Sequence, residues 1–389
     1  MSKKVFALVI SLVLLCGCGD NAADNRGSDA AGQETGYQIT DLGICSDGDA
    51  ALPMNARNPW DLTVVEGKVY VAGGDYDANT GPTAIWAYEA AAQQWVSTGY
   101  VRQEAVARFV ELQGQTVALG TDPMGDGEYA DCYVLQDGTW NTYARIQGAL
   151  HVFDVAEYDG AIYYGLGCGD DLTVVVKQHP QTGEMVTVPL YKAGVDAMAA
   201  LAQTANVESK RVYDLFTVGD RFFCAFSCAY TTGKTTVEFF ELRGDKFVFC
   251  QTFKNAGLQM NKAVKNQVLL NGDAVFENRC YLSFGDLYQT ADFIQFDKVD
   301  VPGNGCVTDL WVEKDNGRER LYVLTAAQTE GGYRNVIFEM AEGQLTEVFA
   351  FDSVVGALSL AKDGAAFYVG CGGDEVNDPN VGRIYKISK

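Results

Sequence analysis

Short runs of Val, Tyr, Phe, Thr and Leu, separated by Gly, Asp and Asn, make up the chain from residue 37 to its end. Runs of this length and composition, bounded by turn-forming residues, are typical of β-strands. The 3.6-residue spacing of apolar positions that marks amphipathic helices is nearly absent. The pattern therefore predicts an all-β domain over residues 37–389.

A small or polar corner followed by an aromatic or aliphatic strand recurs along this region. The spacings between equivalent positions are 47, 46, 59, 58, 41 and 46 residues. A period near 45 with four short strands per unit is typical of a β-propeller, whose repeats span about 40–50 residues. Seven units fit the chain. The equivalent positions are Tyr70, Val117, Tyr163, Phe222, Cys280, Leu321 and Phe367.

Pairs of large side chains separated by six residues accompany the repeat. Tyr88 precedes Trp95 in this way, and Tyr133 precedes Trp140; the doublet Gly73-Gly74 ends the second strand of the first unit. Together these features resemble the kelch repeat, fully in the first unit and partly in others. The resemblance implies that the two aromatic residues lie on the outer strands and pack between neighbouring blades, with no catalytic role.

The last unit supplies three strands before the chain stops, and residues 37–42 are the simplest source of the missing outer strand. Closing the ring in this way removes an exposed sheet edge. Six or eight blades remain alternatives, because residues 263–303 are irregular. Two insertions break the repeat: residues 193–210 predict a short helix beginning near Asp196, and residues 255–267 predict a loop or a helical turn.

The amino terminus has the layout of a bacterial lipoprotein signal. Lys3 and Lys4 precede an apolar run that is too short for a stable membrane-spanning helix. The run ends in Leu15-Cys16-Gly17-Cys18, which resembles a lipobox. We therefore expect a signal peptide over residues 1–17, lipid on Cys18 and a flexible tether over residues 18–36. The alternative is a simple cleaved signal. A lipid-anchored protein would lie in the cell envelope, on the periplasmic or cell-surface side.

Charge and composition exclude several classes of function. Loss of Lys3 and Lys4 with the signal leaves 27 basic and 51 acidic side chains, a net charge of −24. A nucleic-acid-binding role is not expected, because phosphate contacts need a basic face. The chain has only His151 and His179, so metal centres that need several histidines are hard to build.

Nine cysteines remain after Cys16 and Cys18 are set aside, so at least one thiol stays free or pairs outside the chain. In an oxidising envelope compartment we expect some of the others to form disulfides. Cys224 and Cys228 are separated by about 13 Å in an extended strand, too far to bond to each other.

Acidic loops predicted between the second and third strands of the units are candidates for Ca²⁺ binding, because clustered carboxylates and carbonyls suit this ion. The alternative is ordinary turn formation, for which Asp and Gly are also common. No loop has the spacing of an EF-hand. The candidate ligands are Asp75, Asp77, Asp170, Asp171 and Asp374.

Basic residues recur where the inner strands should begin, at Arg57, Arg102 and Arg145. In aligned blades they would surround one mouth of the channel and hold an anionic ligand through bidentate contacts. The alternative is that each pairs with a neighbouring acid. His151 starts an inner strand on the same face, where a ligand-binding or general-base role competes with a purely structural one.

The leading hypothesis from sequence is a membrane-anchored propeller that binds a protein or glycan ligand without catalysis. Fold alone does not determine function, and no catalytic constellation is recognisable. The competing hypothesis is a carbohydrate-active lyase, epimerase or hydrolase that uses His151 or paired carboxylates in the channel. No cofactor is expected apart from the Ca²⁺ discussed above.

Overall fold

The computed structural model describes residues 36–46, 54–74, 81–124, 129–168, 173–204, 207–232, 235–253, 272–315, 317–373 and 378–389. Within these ranges the secondary structure is almost entirely β-strand, with the single α-helix α1 (Ala197–Ala202) and a 3-10 turn over Met54–Arg57. The predicted all-β class is confirmed.

The strands of the amino-terminal half are β1 (Gln38–Ile44), β2 (Asp61–Val65), β3 (Lys68–Ala72), β4 (Thr83–Glu89), β5 (Gln94–Val101), β6 (Gln103–Leu112), β7 (Gln115–Pro123), β8 (Tyr129–Gln136), β9 (Thr139–Gln147), β10 (Ala149–Tyr158), β11 (Ala161–Cys168), β12 (Val175–Gln178), β13 (Met185–Thr187), β14 (Leu190–Lys192) and β15 (Val195–Asp196).

The strands of the carboxyl-terminal half are β16 (Val207–Val218), β17 (Arg221–Tyr230), β18 (Thr235–Arg243), β19 (Lys246–Thr252), β20 (Gly272–Phe276), β21 (Arg279–Phe284), β22 (Asp286–Thr290), β23 (Asp297–Val299), β24 (Cys306–Asp315), β25 (Arg318–Thr329), β26 (Gly332–Ala341), β27 (Gln344–Ser353), β28 (Gly356–Asp363), β29 (Ala366–Gly372) and β30 (Arg383–Ser388).

Consecutive strands pair as four-stranded antiparallel meanders: β2–β5, β6–β9, β10–β13, β16–β19, β20–β23 and β24–β27. The strands β28, β29 and β30 form a further sheet, whose fourth strand is β1 from the amino-terminal end. The first strand of each sheet, here called its inner strand, contacts the inner strand of the next sheet. Meanders packed side by side in this way are the architecture of a β-propeller.

The predicted corners are tight hairpin turns between the inner and second strands. At the first corner, Glu66 and Gly67 have φ angles of 52° and 75°. Turns of this kind fit the right-handed twist of the flanking strands, and Gly, Asn and Asp enter this region of φ most readily. This requirement explains why polar and glycine corners recur along the sequence.

Large aromatic side chains fill the spaces between neighbouring sheets. The indole of Trp140 on β9 stacks on Phe109 with ring centroids 5.6 Å apart and meets Tyr70 of the preceding sheet edge-on at 5.8 Å. The Trp95 indole donates a hydrogen bond of 2.8 Å to the carbonyl of Leu42 on β1. The expected packing of the repeated aromatic residues between sheets is therefore observed for both tryptophans.

The helix α1 confirms the predicted short helix. The Asp196 carboxylate caps it by accepting hydrogen bonds from the backbone N–H groups of Met198 at 2.8 Å and Ala199 at 3.1 Å. Ala197 and Met198 are buried. The second predicted insertion, residues 255–267, lies outside the described residues.

The predicted disulfides are not formed by Cys132, Cys224, Cys228, Cys250, Cys280, Cys306 and Cys371, which are free thiols. Cys224 and Cys228 lie on one strand, β17. Five of these seven are buried, including Cys132 and Cys280. Burial raises the pKa of such thiols, which keeps them protonated and weakly reactive. They pack as small apolar side chains.

Candidate functional site

Aspartates at corresponding places on the inner strands connect neighbouring sheets. Asp309 on β24 accepts a hydrogen bond from its own neighbour, the Leu310 N–H, at 3.0 Å. Its second oxygen accepts from the N–H of Leu360, on the inner strand of the next sheet, at 2.8 Å. One carboxylate thus satisfies two backbone donors and joins two strands that do not share a ladder of hydrogen bonds.

The same arrangement occurs twice more. Asp61 accepts from Leu62 at 2.8 Å and from Phe109 of the next sheet at 2.7 Å. Asp154 accepts from the backbone N–H groups of Val155 at 2.9 Å and Leu215 at 2.7 Å. We call these three carboxylates, Asp61, Asp154 and Asp309, the clip aspartates.

An arginine occupies the corresponding place on β6. The Arg108 guanidinium makes two charge-assisted hydrogen bonds of 2.8 Å, one to Asp214 on β16 and one to Asp273 on β20. It also lies 3.7 Å from Asp154 on β10. A single side chain therefore holds four inner strands together. We call these four residues the Arg108 cluster.

The Arg108 cluster is largely buried, and it contains three carboxyl groups but only one guanidinium. The Asp214 side chain is 1% exposed, Asp273 is 15% exposed and Arg108 retains 28%. Burial raises the pKa of Asp214 well above its ordinary value, and the neighbouring Asp273 carboxylate raises it further. Burial likewise raises the pKa of Asp154 to about 7, although Arg108 opposes the shift. Both shifts favour the protonated forms of Asp154 and Asp214.

A cavity of about 470 Å³ reaches this cluster, and we call it the channel cavity. It is lined by inner-strand residues, including Arg108, Asp273 and Asp309. A larger cavity of about 1160 Å³, here the mouth cavity, adjoins it, since Asp273 and Trp311 line both. The two cavities lie along the carboxyl-terminal parts of the inner strands.

The wall of the mouth cavity combines rings with charged side chains. The Lys362 ammonium bonds to Glu313, which also accepts a 3.3 Å hydrogen bond from the Tyr322 hydroxyl. Lys362 lies 5.5 Å from the Tyr322 ring centroid. The half-buried Trp311 contributes apolar surface. A concave site with aromatic surface and a few convergent polar groups is suited to ligand binding.

Three of the residues predicted to bind a ligand lie at the other end of the inner strands. Arg145 makes a bidentate contact with Asp131, at 2.8 and 2.9 Å, and its guanidinium lies 4.1 Å from the Tyr129 ring centroid. Arg102 is exposed, and its backbone N–H donates a 3.1 Å hydrogen bond to the Tyr133 hydroxyl. Arg145 lies on β9, and Arg102 directly precedes β6 of the same sheet. Arg145 has an acidic partner, as the alternative interpretation predicted.

His151 begins β10, as predicted, and is buried. Its Nε2 lies 2.9 Å from the Asp122 carboxylate, and its ring stacks on Phe153 with centroids 5.1 Å apart. Its Nδ1 is buried and has no hydrogen-bond partner among the described residues. Arg57 ends the turn that precedes the inner strand β2, with its carbonyl oxygen packed close to Gly382.

The predicted Ca²⁺ ligands Asp75, Asp77, Asp170, Asp171 and Asp374 lie outside the described residues, as does Cys18. Among the residues that are described, no group of three or more His, Cys, Asp or Glu side chains is arranged to hold a metal ion. In the same part of the chain, no helix is long and apolar enough to cross a membrane.

Sequence reasoning missed the clip aspartates and the Arg108 cluster. A signal for them is present, because an aspartate followed by an aliphatic residue recurs on several inner strands. The segments are DLTVVEG at 61–67, DVAEYDG at 154–160, DLFTVGD at 214–220 and DLWVEKDNG at 309–317. Arg108 has no such signal, since its partners are brought to it only by the packing of separate sheets.

Solved structures similar to this chain include one in the crystal structure of the mitotic checkpoint complex, with a TM-score of 0.49 and 11% identity over 94% of this chain and 96% of that one. Another is PorZ of Porphyromonas gingivalis, described as an essential bacterial surface component of the type-IX secretion system. It gives a TM-score of 0.48 and 12% identity, covering 85% of this chain and 46% of PorZ, so this chain spans less than half the length of that protein. No family model matches the chain, and no curated protein gives a significant match. The kelch resemblance stays a prediction.

Proposed function

We propose that this protein is a lipid-anchored envelope propeller of seven blades that binds a protein or glycan ligand in the mouth cavity, without catalysis. The observation that carries the binding proposal is the mouth cavity itself, about 1160 Å³ in volume and walled by aromatic and charged side chains. Ligand pockets in proteins commonly have volumes of about 300–1,000 Å³ and this kind of wall.

The pairing of β1 with β30 supports a closed ring. Gln38 lies opposite Ser388 and Asp41 opposite Tyr385, so strands from the two ends of the chain share one sheet. The Arg383 guanidinium also bonds to the Asp41 carboxylate across this junction. Closure by strands from both ends resists fraying, because neither terminal segment can leave without breaking the sheet. Such a scaffold holds the walls of a binding site in place.

Anchoring of this scaffold by lipid on Cys18 rests on the lipobox and the polar segment after it. Growth of cells with an alkyne-bearing fatty acid should label the intact protein and should not label the Cys18→Ser variant. Equal labelling of both proteins would contradict the anchor.

The binding proposal is tested by screening the chain from residue 19 against arrays of glycans and of envelope peptides. We expect Trp311→Ala and Lys314→Glu, both at the mouth cavity, to weaken binding about tenfold or more, equivalent to about 1.4 kcal/mol. Lys314 is exposed, so this second variant tests the surface without disturbing the core. The matched control is Arg102→Ala, at the opposite end of the inner strands.

If Arg102→Ala abolished binding while the two mouth variants retained it, the ligand would bind at the end of the inner strands predicted from sequence. That outcome would overturn the mouth cavity as the site.

A carbohydrate-active lyase, epimerase or hydrolase is the second candidate, favoured by one observation. Asp214 has a strongly raised pKa and lies beside the Asp273 carboxylate, which lines the channel cavity. A buried carboxyl group with a raised pKa beside a second carboxyl group is suited to general acid–base catalysis. Turnover of any glycan identified by the array, lost in Asp273→Asn, would favour the enzyme. Binding without turnover would favour the first proposal.

A further inference from the structure

We propose that the end of the inner strands opposite the mouth cavity carries a second binding site, in which Arg211 and Tyr213 hold a carboxylate group. Both residues lie in the amino-terminal half of the inner strand β16. The inference goes beyond the proposed function, because it concerns other residues, the other end of the inner strands and another class of ligand. It does not depend on what binds in the mouth cavity.

The first observation is a positioned cation that no described carboxylate neutralises. The Arg211 guanidinium donates a 3.2 Å hydrogen bond from Nη1 to the Tyr213 hydroxyl, and it lies 5.7 Å from the Phe153 ring centroid. Within the described part of the chain, Arg211 forms no ion pair. Its side chain is half-buried, so part of it is open to solvent. The guanidinium therefore keeps N–H donors for an anion.

The second observation is the Tyr213 hydroxyl, which accepts the hydrogen bond from Arg211 and still has its own hydrogen to donate. Tyr213 is 6% exposed, and the described residues provide no acceptor for that hydrogen. Burial raises the pKa of Tyr213, although Arg211 opposes the shift, so the hydroxyl keeps its hydrogen at neutral pH. One carboxylate can accept from the guanidinium and from this hydroxyl together.

The third observation is a row of paired residues that leads to Arg211. Thr121 lies opposite His151, His151 opposite Gly167, and Gly167 opposite Arg211. Paired residues of antiparallel strands present their side chains on one face, and Gly167 has no side chain to cover its neighbour. Thr121 Oγ1 and His151 Nδ1 are buried without a hydrogen-bond partner among the described residues. The face beside Arg211 therefore contains further polar atoms, contributed by two other sheets.

One aromatic ring supports the polar side chains of this site. The Phe153 ring centroid lies 4.6 Å from that of Tyr213 and 5.1 Å from that of His151, and Arg211 lies over the same ring. Phe153 itself is buried. Contact with an aromatic face and a hydrogen bond to Tyr213 orient the guanidinium before any ligand arrives. Such orientation lowers the entropy cost of binding.

The charges around the site favour a carboxylate over a phosphate. A guanidinium fork matches the two oxygens of a carboxylate. A phosphate dianion carries more negative charge and would be repelled more strongly by Asp122, whose carboxylate lies 2.9 Å from His151 Nε2. The ligand class is therefore a carboxylate, supplied either by an acidic sugar or by a small free acid.

The experiment is saturation-transfer difference NMR on the full chain, titrated with D-glucuronate, with acetate and with neutral methyl glucoside. We expect both carboxylates to bind at millimolar concentration, and methyl glucoside to bind at least about tenfold more weakly. Equal affinity for acetate and D-glucuronate would identify a small free acid as the source. Affinity for D-glucuronate that is higher by about tenfold or more would identify an acidic sugar.

Two variants test the residues of the site. Arg211→Met should weaken D-glucuronate binding about tenfold or more, because it removes the only cation assigned to the ligand. Tyr213→Phe keeps the buried ring and removes the hydroxyl, so we expect binding to weaken about threefold or more. The matched control is Lys210→Met, since Lys210 is a half-buried cation and the neighbour of Arg211 on β16. This control should leave the affinity within about twofold.

Equal binding of methyl glucoside and D-glucuronate, or D-glucuronate binding that Arg211→Met does not change, would overturn the inference. Tighter binding of inorganic phosphate than of either carboxylate would also overturn it. So would binding that appears only in the double variant Asp170→Asn/Asp171→Asn, because acids of the chain itself would then occupy the site. Failure here leaves the mouth-cavity proposal standing, since Trp311→Ala and Lys314→Glu test that proposal separately.

Discussion

Asp309 and Asp214 both lie on inner strands and follow a bulge in the ladder, yet their surroundings are opposite. Both oxygens of Asp309 accept hydrogen bonds from backbone N–H groups, at 3.0 and 2.8 Å. Asp214 instead contacts one guanidinium, which it shares with two other acids, and it is hydrogen-bonded to the Asp273 carboxyl group beside it.

The difference teaches that one position in a repeated blade can serve two purposes. Where the next inner strand presents an N–H, the aspartate joins two sheets. Where it faces a second carboxyl group and a shared arginine instead, the same residue type becomes a buried acid whose pKa is raised. The first arrangement stabilises the ring, and the second leaves a polar site at the base of a cavity.

Removal of Arg108 should have the largest effect on stability. Arg108→Met would leave Asp154, Asp214 and Asp273 close together without their counter-charge. Breaking a buried ion pair from one side costs about 3–5 kcal/mol, and we expect about 3 because the carboxyl groups can take up protons. Urea unfolding at neutral pH measures the free energy of unfolding. Arg320→Met, at an exposed pair 3.8 Å from Glu339, should change it little. If Arg108→Met lowered the free energy of unfolding by less than about 1 kcal/mol, Arg108 would not be needed to hold the four inner strands together.

Loss of a clip aspartate should have the next largest effect. Asp309→Ala leaves the N–H groups of Leu310 and Leu360 without their acceptor, and each unsatisfied buried donor costs about 1–3 kcal/mol. We expect a destabilisation of about 2 kcal/mol in the same urea assay. The control is Asp363→Ala, at the exposed end of β28. Equal stability of the two variants would show that the clip contributes nothing.

Amide substitution should separate the two kinds of aspartate most directly. Asn resembles a protonated Asp in shape and charge, so Asp214→Asn should change the free energy of unfolding by less than about 0.5 kcal/mol or increase it. Asp309→Asn, in contrast, replaces one accepting oxygen with a donor and should cost about 1 kcal/mol. If Asp214→Asn cost more stability than Asp309→Asn, Asp214 would be ionised and structurally required.

The dependence of stability on pH tests the burial of Asp154. Because the pKa of Asp154 in the folded protein, about 7, lies above the usual value for the unfolded chain, the folded state binds the proton more tightly. The contribution of Asp154 is therefore most favourable at low pH and is lost as pH rises towards and through about 7. The slope from one such proton is at most about 1.4 kcal/mol per pH unit. Urea unfolding between about pH 5 and about pH 8 should show a shallower decline in Asp154→Asn than in the unaltered protein; parallel slopes would exclude Asp154 as the source.

Much of the scaffold followed from the sequence alone. Apolar runs of strand length, polar and glycine corners, and aromatic residues at six-residue separation are local features, and each reports the conformation or burial of its own segment. For this reason the strands, the hairpin turns at Glu66 and Gly67, the Asp196 helix cap and the packing of Trp95 and Trp140 between sheets were predictable.

The candidate site was decided by the tertiary structure. Arg108 and Asp273 are 165 residues apart, and Asn58 and Gly373, which exchange hydrogen bonds, are 315 apart. Nothing in the local pattern around Arg108 distinguishes an exposed arginine from one that holds three aspartates, because its burial and its partners come from other sheets. The same holds for Arg145, whose pairing with Asp131 depends on the register of β8 and β9. Periodicity specifies the elements of this protein, whereas the electrostatics of its channel arise only when separate sheets bring their charges together.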